Sequence, residues 1–182
     1  MTSERRVEAD GSLEPMTPSA QTYRVHGVSG PGGHGKIRCN STDIKADTGS
    51  ISDGFRAGPA ELLCAALAAC LLKNVERYSD LLPFRYDLAS VVVDAVRRDA
   101  PPAMTRMHYR LELVTDEPPH RVELLHHNVR KFGTITNTLA AAVDLTGEVV
   151  ARRHHQHSES QHHPGRTDTI SGEASIPNDK ER

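Results

Sequence analysis

Gly58 to Cys70 reads GPAELLCAALAAC. Proline at position 59 suits the first turn of a helix, where its missing N–H has no partner to lose. From there Leu62, Leu63, Ala66, Leu67, Cys70 and Leu71 fall at the i, i+3, i+4 spacing of one apolar helix face. Ala65, Ala68 and Ala69 keep much of the remaining surface small, so neighbouring elements can approach closely. The spacing predicts a helix over Pro59 to Tyr78, and its composition makes it the most deeply buried helix of the chain. The segment before it, DTGSISDGFRAG from Asp47 to Gly58, is rich in turn formers and leads into it.

Outward from this helix the periodicity changes. On the N-terminal side, Tyr23 and Val25, then Gly30, Pro31, Gly32, Gly33 and Gly35, then Ile37 to Ile44 read as strand, loose turn, strand. On the C-terminal side, Phe84 to Arg98 is strand-like through Val91, Val92 and Val93. Met107 to Val114 alternates, with Met107, Tyr109, Leu111 and Leu113 on a dry face and His108, Arg110 and Glu112 on a wet one. The two runs make an antiparallel pair, interrupted at Pro101 and Pro102. Pro118 and Pro119 open a second helix, His120 to Lys131, with Gly133 placed as its C-cap. A short third helix over Asn137 to Val143 and a closing strand over Gly147 to Ala151 complete an α+β order, expected as an antiparallel sheet around the long central helix.

The apolar residues are concentrated in the middle of the 182-residue chain, although the hydrophobic fraction overall is only 37%. Residues 1–21 and 152–182 lack apolar periodicity and are expected to be disordered tails flanking one domain at 22–151. The formal net charge of −2, with acids and bases interspersed, offers no footprint for nucleic acid. No apolar run approaches the roughly 20 residues that span a bilayer, so no membrane association is expected and the chain is placed in the cytoplasm. Three cysteines, Cys39, Cys64 and Cys70, without a CxxC pair argue against a disulfide framework or a zinc site. No cofactor is expected. His154, His155, His157, His162 and His163 crowd the C-terminal tail; such a tract can chelate a transition metal weakly, but no framework fixes a geometry, and a solvated tail is the simpler reading. His126 and His127, adjacent on the second helix, point about 100° apart and read as surface or interface residues.

Pro59, Glu61, Leu62, Ala65, Ala66, Ala68, Ala69 and Cys70 together resemble the central helix of the OsmC/Ohr superfamily, in which a Pro-x-Glu-Leu entry leads through small residues to a cysteine. The glycine-rich hairpin before it, the two long strands after it and the later KFGTITNTL segment extend the resemblance over roughly Tyr23 to Val150. The resemblance implies an intimate homodimer with sites at the subunit interface, and thiol chemistry that reduces organic hydroperoxides with one cysteine attacking and a second resolving. Cys70 matches the attacking position. The second cysteine corresponds to Gly133, which has no sulfur. Two further positions depart from the peroxidase pattern: His34, with Lys36 two residues on, stands where an arginine follows the Gly-Gly pair, and Ala60 stands where a glutamate follows the helix-opening proline, with Glu61 one residue later.

Read from the residues alone, Cys70 is a small apolar member of a helix face, as many free cysteines are. As an attacking thiolate it needs a cationic partner to offset burial. The candidates are Arg56, His34 and Lys36, with Glu61 in a supporting role. Cys64, six residues back on the same helix, lies roughly 9 Å away by helical rise and is out of disulfide reach. Cys39 is the other candidate resolving thiol, and an external thiol is the simpler scheme. Two functions follow: a single-cysteine, thiol-dependent hydroperoxide reductase, or a non-catalytic module that holds an apolar small molecule at the dimer interface.

Overall fold

The structure, a computed structural model, describes residues 20–52 and 54–153. Both expected tails fall almost wholly outside these residues, as does the whole histidine tract from His154 onward. The core grows from the alternation seen in the sequence. Strand β5 (Pro102–Val114) buries Met107, Tyr109, Leu111 and Leu113 completely or nearly so and turns His108, Arg110 and Glu112 outward. It pairs antiparallel with β4 (Leu88–Asp99), with Val91 opposite Leu111 and Val93 opposite Tyr109. Pro102 begins β5 opposite Asp99, so the proline pair sits at the hairpin end, where a missing N–H removes little from the ladder.

The chain returns to this sheet by way of two helices. Helix α2 (Pro119–Lys131) buries Val122, Leu125 and Val129, and α3 (Thr134–Ala140) buries Thr136 and Leu139. Strand β6 (Asp144–Arg152) then lies along β5 in parallel, not antiparallel. The expected purely antiparallel sheet is therefore corrected to a mixed one. The α2–α3 crossover carries the chain from the Val114 end of β5 to its opposite end, where Asp144 pairs with Arg106, and a strand entering there runs parallel to β5.

Helix α1 (Pro59–Leu81) packs against β4 and against α2 and α3. Its buried positions are Leu67, Leu71, Asn74, Val75, Tyr78 and Ser79, which lie toward its C-terminal half. Leu62, Leu63, Ala66 and Cys70 are only partly covered, and Ala65, Ala69 and Leu72 are exposed. The expectation of a deeply buried helix thus holds for one face of its latter part alone, because the single chain offers a sheet on one side of it only.

A second sheet precedes α1. Its strands β1 (Val25–Val28), β2 (His34–Cys39) and β3 (Thr42–Asp47) pair antiparallel in sequence order. The run from Ile37 to Ile44, expected as one strand, is broken by a two-residue turn at Asn40 and Ser41. Asn40 adopts φ 55, which asparagine tolerates better than most residues. This sheet has no extensive packing against α1–α3 or β4–β6. Its recorded link is a parallel bridge between Ala46 and Ala57, with the Asp47 amide donating to the Ala57 carbonyl at 3.0 Å.

Gly133 is not the left-handed cap of α2. That helix closes on Phe132, and Gly133, in extended backbone, is the N-cap of α3, which starts three residues earlier than the sequence suggested. The reason for glycine is close approach. A Cβ at this position would sit 2.6 Å from Thr136 Oγ1 and 3.1 Å from the Val129 carbonyl oxygen.

Candidate functional site around Cys70

Cys70 lies at the border between the buried and open faces of α1, half-buried. One helical turn on, Asn74 is 8% exposed, and its Nδ2 donates to the Cys70 carbonyl at 2.8 Å while lying 3.6 Å from Cys70 Sγ. Burial holds that amide in place. It gives negative charge developing on the sulfur a donor that need not be recruited from solvent. Asn74 was missed in the sequence; the signal was a polar side chain four residues after the cysteine on an otherwise apolar face, the spacing at which helix side chains meet.

The other thiol of α1 differs. Cys64 packs against the hydrophobic core, and burial, then the carboxylates of Glu61 and Asp94, push its thiol up from the ordinary range. It stays protonated at neutral pH and is a poor nucleophile. The Glu61 charge is therefore felt at Cys64. Nine residues separate it from Cys70, roughly 13 Å of helical rise, so it does not reach that sulfur within one chain.

The remaining candidates sit on the first sheet or next to it. His34 opens β2 opposite Asp47, and Lys36 places its ammonium 3.6 Å from Asp43, whose carboxyl is held down to about 2 chiefly by the hydrogen bond from Arg38. Cys39 ends β2 opposite Thr42. Because β2 does not pack extensively on α1, a single chain does not gather His34, Lys36 or Cys39 at Cys70. Arg56 lies half-buried in the segment entering α1. Among the described residues no group of three histidine, cysteine or acidic side chains could hold a metal ion, and no helix is long and apolar enough to cross a membrane.

A second polar arrangement escaped the sequence reading. His127 is exposed as expected, but His126 is half-buried and its Nε2 lies 2.8 Å from the hydroxyl of Tyr109, a residue only 1% exposed. Burial, then the positive field of Arg130 and the neighbouring His127, lower His126 to about 4. Burial raises Tyr109 to about 12. Both groups are neutral at pH 7, and the pair spans from the core strand β5 to the face of α2.

Comparison with known proteins agrees with this architecture. The family model described as OsmC-like protein matches residues 52–148, just over half of the chain. No curated sequence matches. Among solved structures, an OsmC-like protein from Mycoplasma pneumoniae superposes with a TM-score of 0.67 at 16% identity, over 73% of this chain and 99% of that one. An organic hydroperoxide resistance protein OsmC from Legionella pneumophila gives a TM-score of 0.56 at 16% identity, over 71% and 98%. The organic hydroperoxide resistance protein OhrB of Bacillus subtilis gives 0.53 at 16% identity, with the same coverage. At these identities the structural likeness speaks for the fold, and the family model speaks for descent: the chain belongs to the OsmC-like protein family.

Proposed function

We propose that this protein is a single-cysteine, thiol-dependent hydroperoxide reductase that acts through Cys70. The observation that carries the reading is the contrast along α1. Both thiols are half-buried, but Cys70 has a buried amide at its sulfur, whereas Cys64 lies against the core with carboxylates that oppose its ionisation. Two of the structural relatives are organic hydroperoxide resistance proteins, which fits the same substrate class. In the reaction the Cys70 thiolate attacks the terminal oxygen of an organic hydroperoxide. The O–O bond breaks, the alkoxide takes the proton that the thiol gave up, and the alcohol leaves while sulfur is oxidised to sulfenic acid. With glycine at 133, an external low-molecular-weight thiol condenses with the sulfenic acid, releasing water, and a second thiol frees Cys70 as the donor disulfide departs. The three unpaired cysteines fit a reducing, cytoplasmic setting.

The working unit in this reading is a homodimer. The first sheet leaves Val25 and Val28 exposed and has little packing of its own, while β4 exposes Leu88, Val92 and Val96 along one face. Mutual covering of such faces by two copies removes apolar surface from water and brings a partner's β2 residues to α1. A second reading is favoured by the open face of α1 at Ala65, Ala69 and Leu72: a non-catalytic module holding an apolar molecule between subunits. One experiment separates the two. Stoichiometric cumene hydroperoxide should yield a dimedone-trappable sulfenic acid at Cys70, lost in Cys70→Ser and retained in Cys64→Ser. If mass spectrometry finds Cys70 unmodified while the protein is folded and dimeric, the reductase reading fails and the binding module stands.

A further inference from the structure

Away from Cys70, α2, α3 and the start of β6 enclose a cleft of about 440 Å³ to which α1 contributes no wall residue. Its floor is apolar, at Ala140 and Leu145. Arg130 and Lys131, both exposed in the last turn of α2, stand at the rim against a single acid, Glu123, so the fixed charges leave one net positive. His126, His127, Thr136 and Asn137 complete the polar part of the wall.

The tautomer of His126 follows from the burial of its partner. If Nε2–H donated to Tyr109, the buried phenol O–H would have no acceptor, because among the described residues its only hydrogen-bond partner is His126. An unmade hydrogen bond in that position is more costly than the alternative. The phenol therefore donates to Nε2, and the proton of the neutral imidazole resides on Nδ1. Among the described residues that N–H has no hydrogen-bond partner, on a ring that lines the cleft. The donors that line the cleft are thus the Nδ1–H of His126, the guanidinium and the ammonium, while the Asn137 amide already donates one N–H to the Lys131 carbonyl at 3.1 Å.

We propose that this cleft is a binding site for a small organic monocarboxylate, with the carboxylate between Arg130 and His126 and the apolar body on Ala140 and Leu145. A planar guanidinium matches a carboxylate in bidentate geometry. The single net charge and the presence of Glu123 favour a monoanion over phosphate. The site is independent of the thiol chemistry and stands or falls apart from it.

The test uses the full chain and benzoate as probe, with benzamide as its uncharged counterpart, followed by NMR. Benzoate should bind at least tenfold more tightly than benzamide, shift the amides around Arg130 and Asn137, and raise the titration midpoint of His126 by offsetting the field of Arg130. Arg130→Gln, at an exposed position that does not endanger folding, should weaken benzoate at least tenfold and leave benzamide unchanged. Equal affinity for benzoate and benzamide, or an Arg130→Gln variant that binds benzoate like the parent, overturns the site. Displacement of benzoate by an equal concentration of inorganic phosphate overturns the carboxylate assignment.

Discussion

Lowering the pH from 7.5 to 4.5 should weaken the fold through His126. The unfolded imidazole takes up its proton near 6.5, whereas the folded one resists until about 4, because burial first and Arg130 and His127 next oppose the charge. Between those two values the unfolded state binds more protons, so stability is full above about pH 7 and is lost as pH falls through the window. The difference is worth at most about 3 kcal/mol. Solvent reaches part of the ring and screens it, which leaves roughly 1 to 2 kcal/mol by pH 4.5. Asp43, held down to about 2, titrates below this window and does not confuse it. Urea unfolding at a series of pH values would show the loss. His126→Gln keeps an acceptor for the Tyr109 hydroxyl but cannot protonate, and should remove that part of the slope. Parallel loss of stability in the parent and in His126→Gln between pH 7 and 4.5 would refute the assignment.

Gly147→Ala should destabilise the domain by roughly 2 to 5 kcal/mol, since its new Cβ would lie 2.2 Å from two ring carbons of buried Tyr109, and both overpacking and the disturbed Tyr109–His126 bond contribute. Thermal unfolding checks this, and an unchanged midpoint would mean that the strand gives way more easily than the ring. Asn74→Leu should slow alkylation of Cys70 at pH 7 about fivefold, the equivalent of one lost hydrogen bond of about 1 kcal/mol. Equal rates in the two proteins would mean that the amide serves the helix backbone alone.

Where a periodic signal extends over many residues, the fold is legible in the sequence. The alternation of Met107, Tyr109, Leu111 and Leu113 and the stripe of α2 were both readable, because each records a face buried against one partner. The parallel placement of β6 was not readable, since strand direction depends on where a crossover delivers the chain and leaves no mark in the strand itself. The extent of α1 burial was overread for a related reason: small residues announce that something comes close, but not whether it belongs to the same chain. Its Ala65, Ala69 and Leu72 are exposed in the single chain.

Cys70 could be singled out in the sequence because a thiol has distinctive chemistry, whereas residues that act by contact could not. Asn74 drew no notice in the sequence, and only the helix shows its amide against the sulfur. His126 looked like half of an exposed pair until Tyr109, seventeen residues away, proved to be its partner. Gly133 shows the same limit from the other side. Taken as a letter, it stands where the resemblance implies a second cysteine and where a helix cap was expected. In the structure it is a space already taken: Thr136 Oγ1 lies 2.6 Å and Thr136 Cβ 3.0 Å from where any Cβ at this position would sit. A cysteine there would have to displace the Thr136 side chain, whose buried hydroxyl already lacks a partner. The absence of a sulfur at 133 and the presence of threonine at 136 are therefore one packing arrangement. No single position in the sequence could have expressed that coupling.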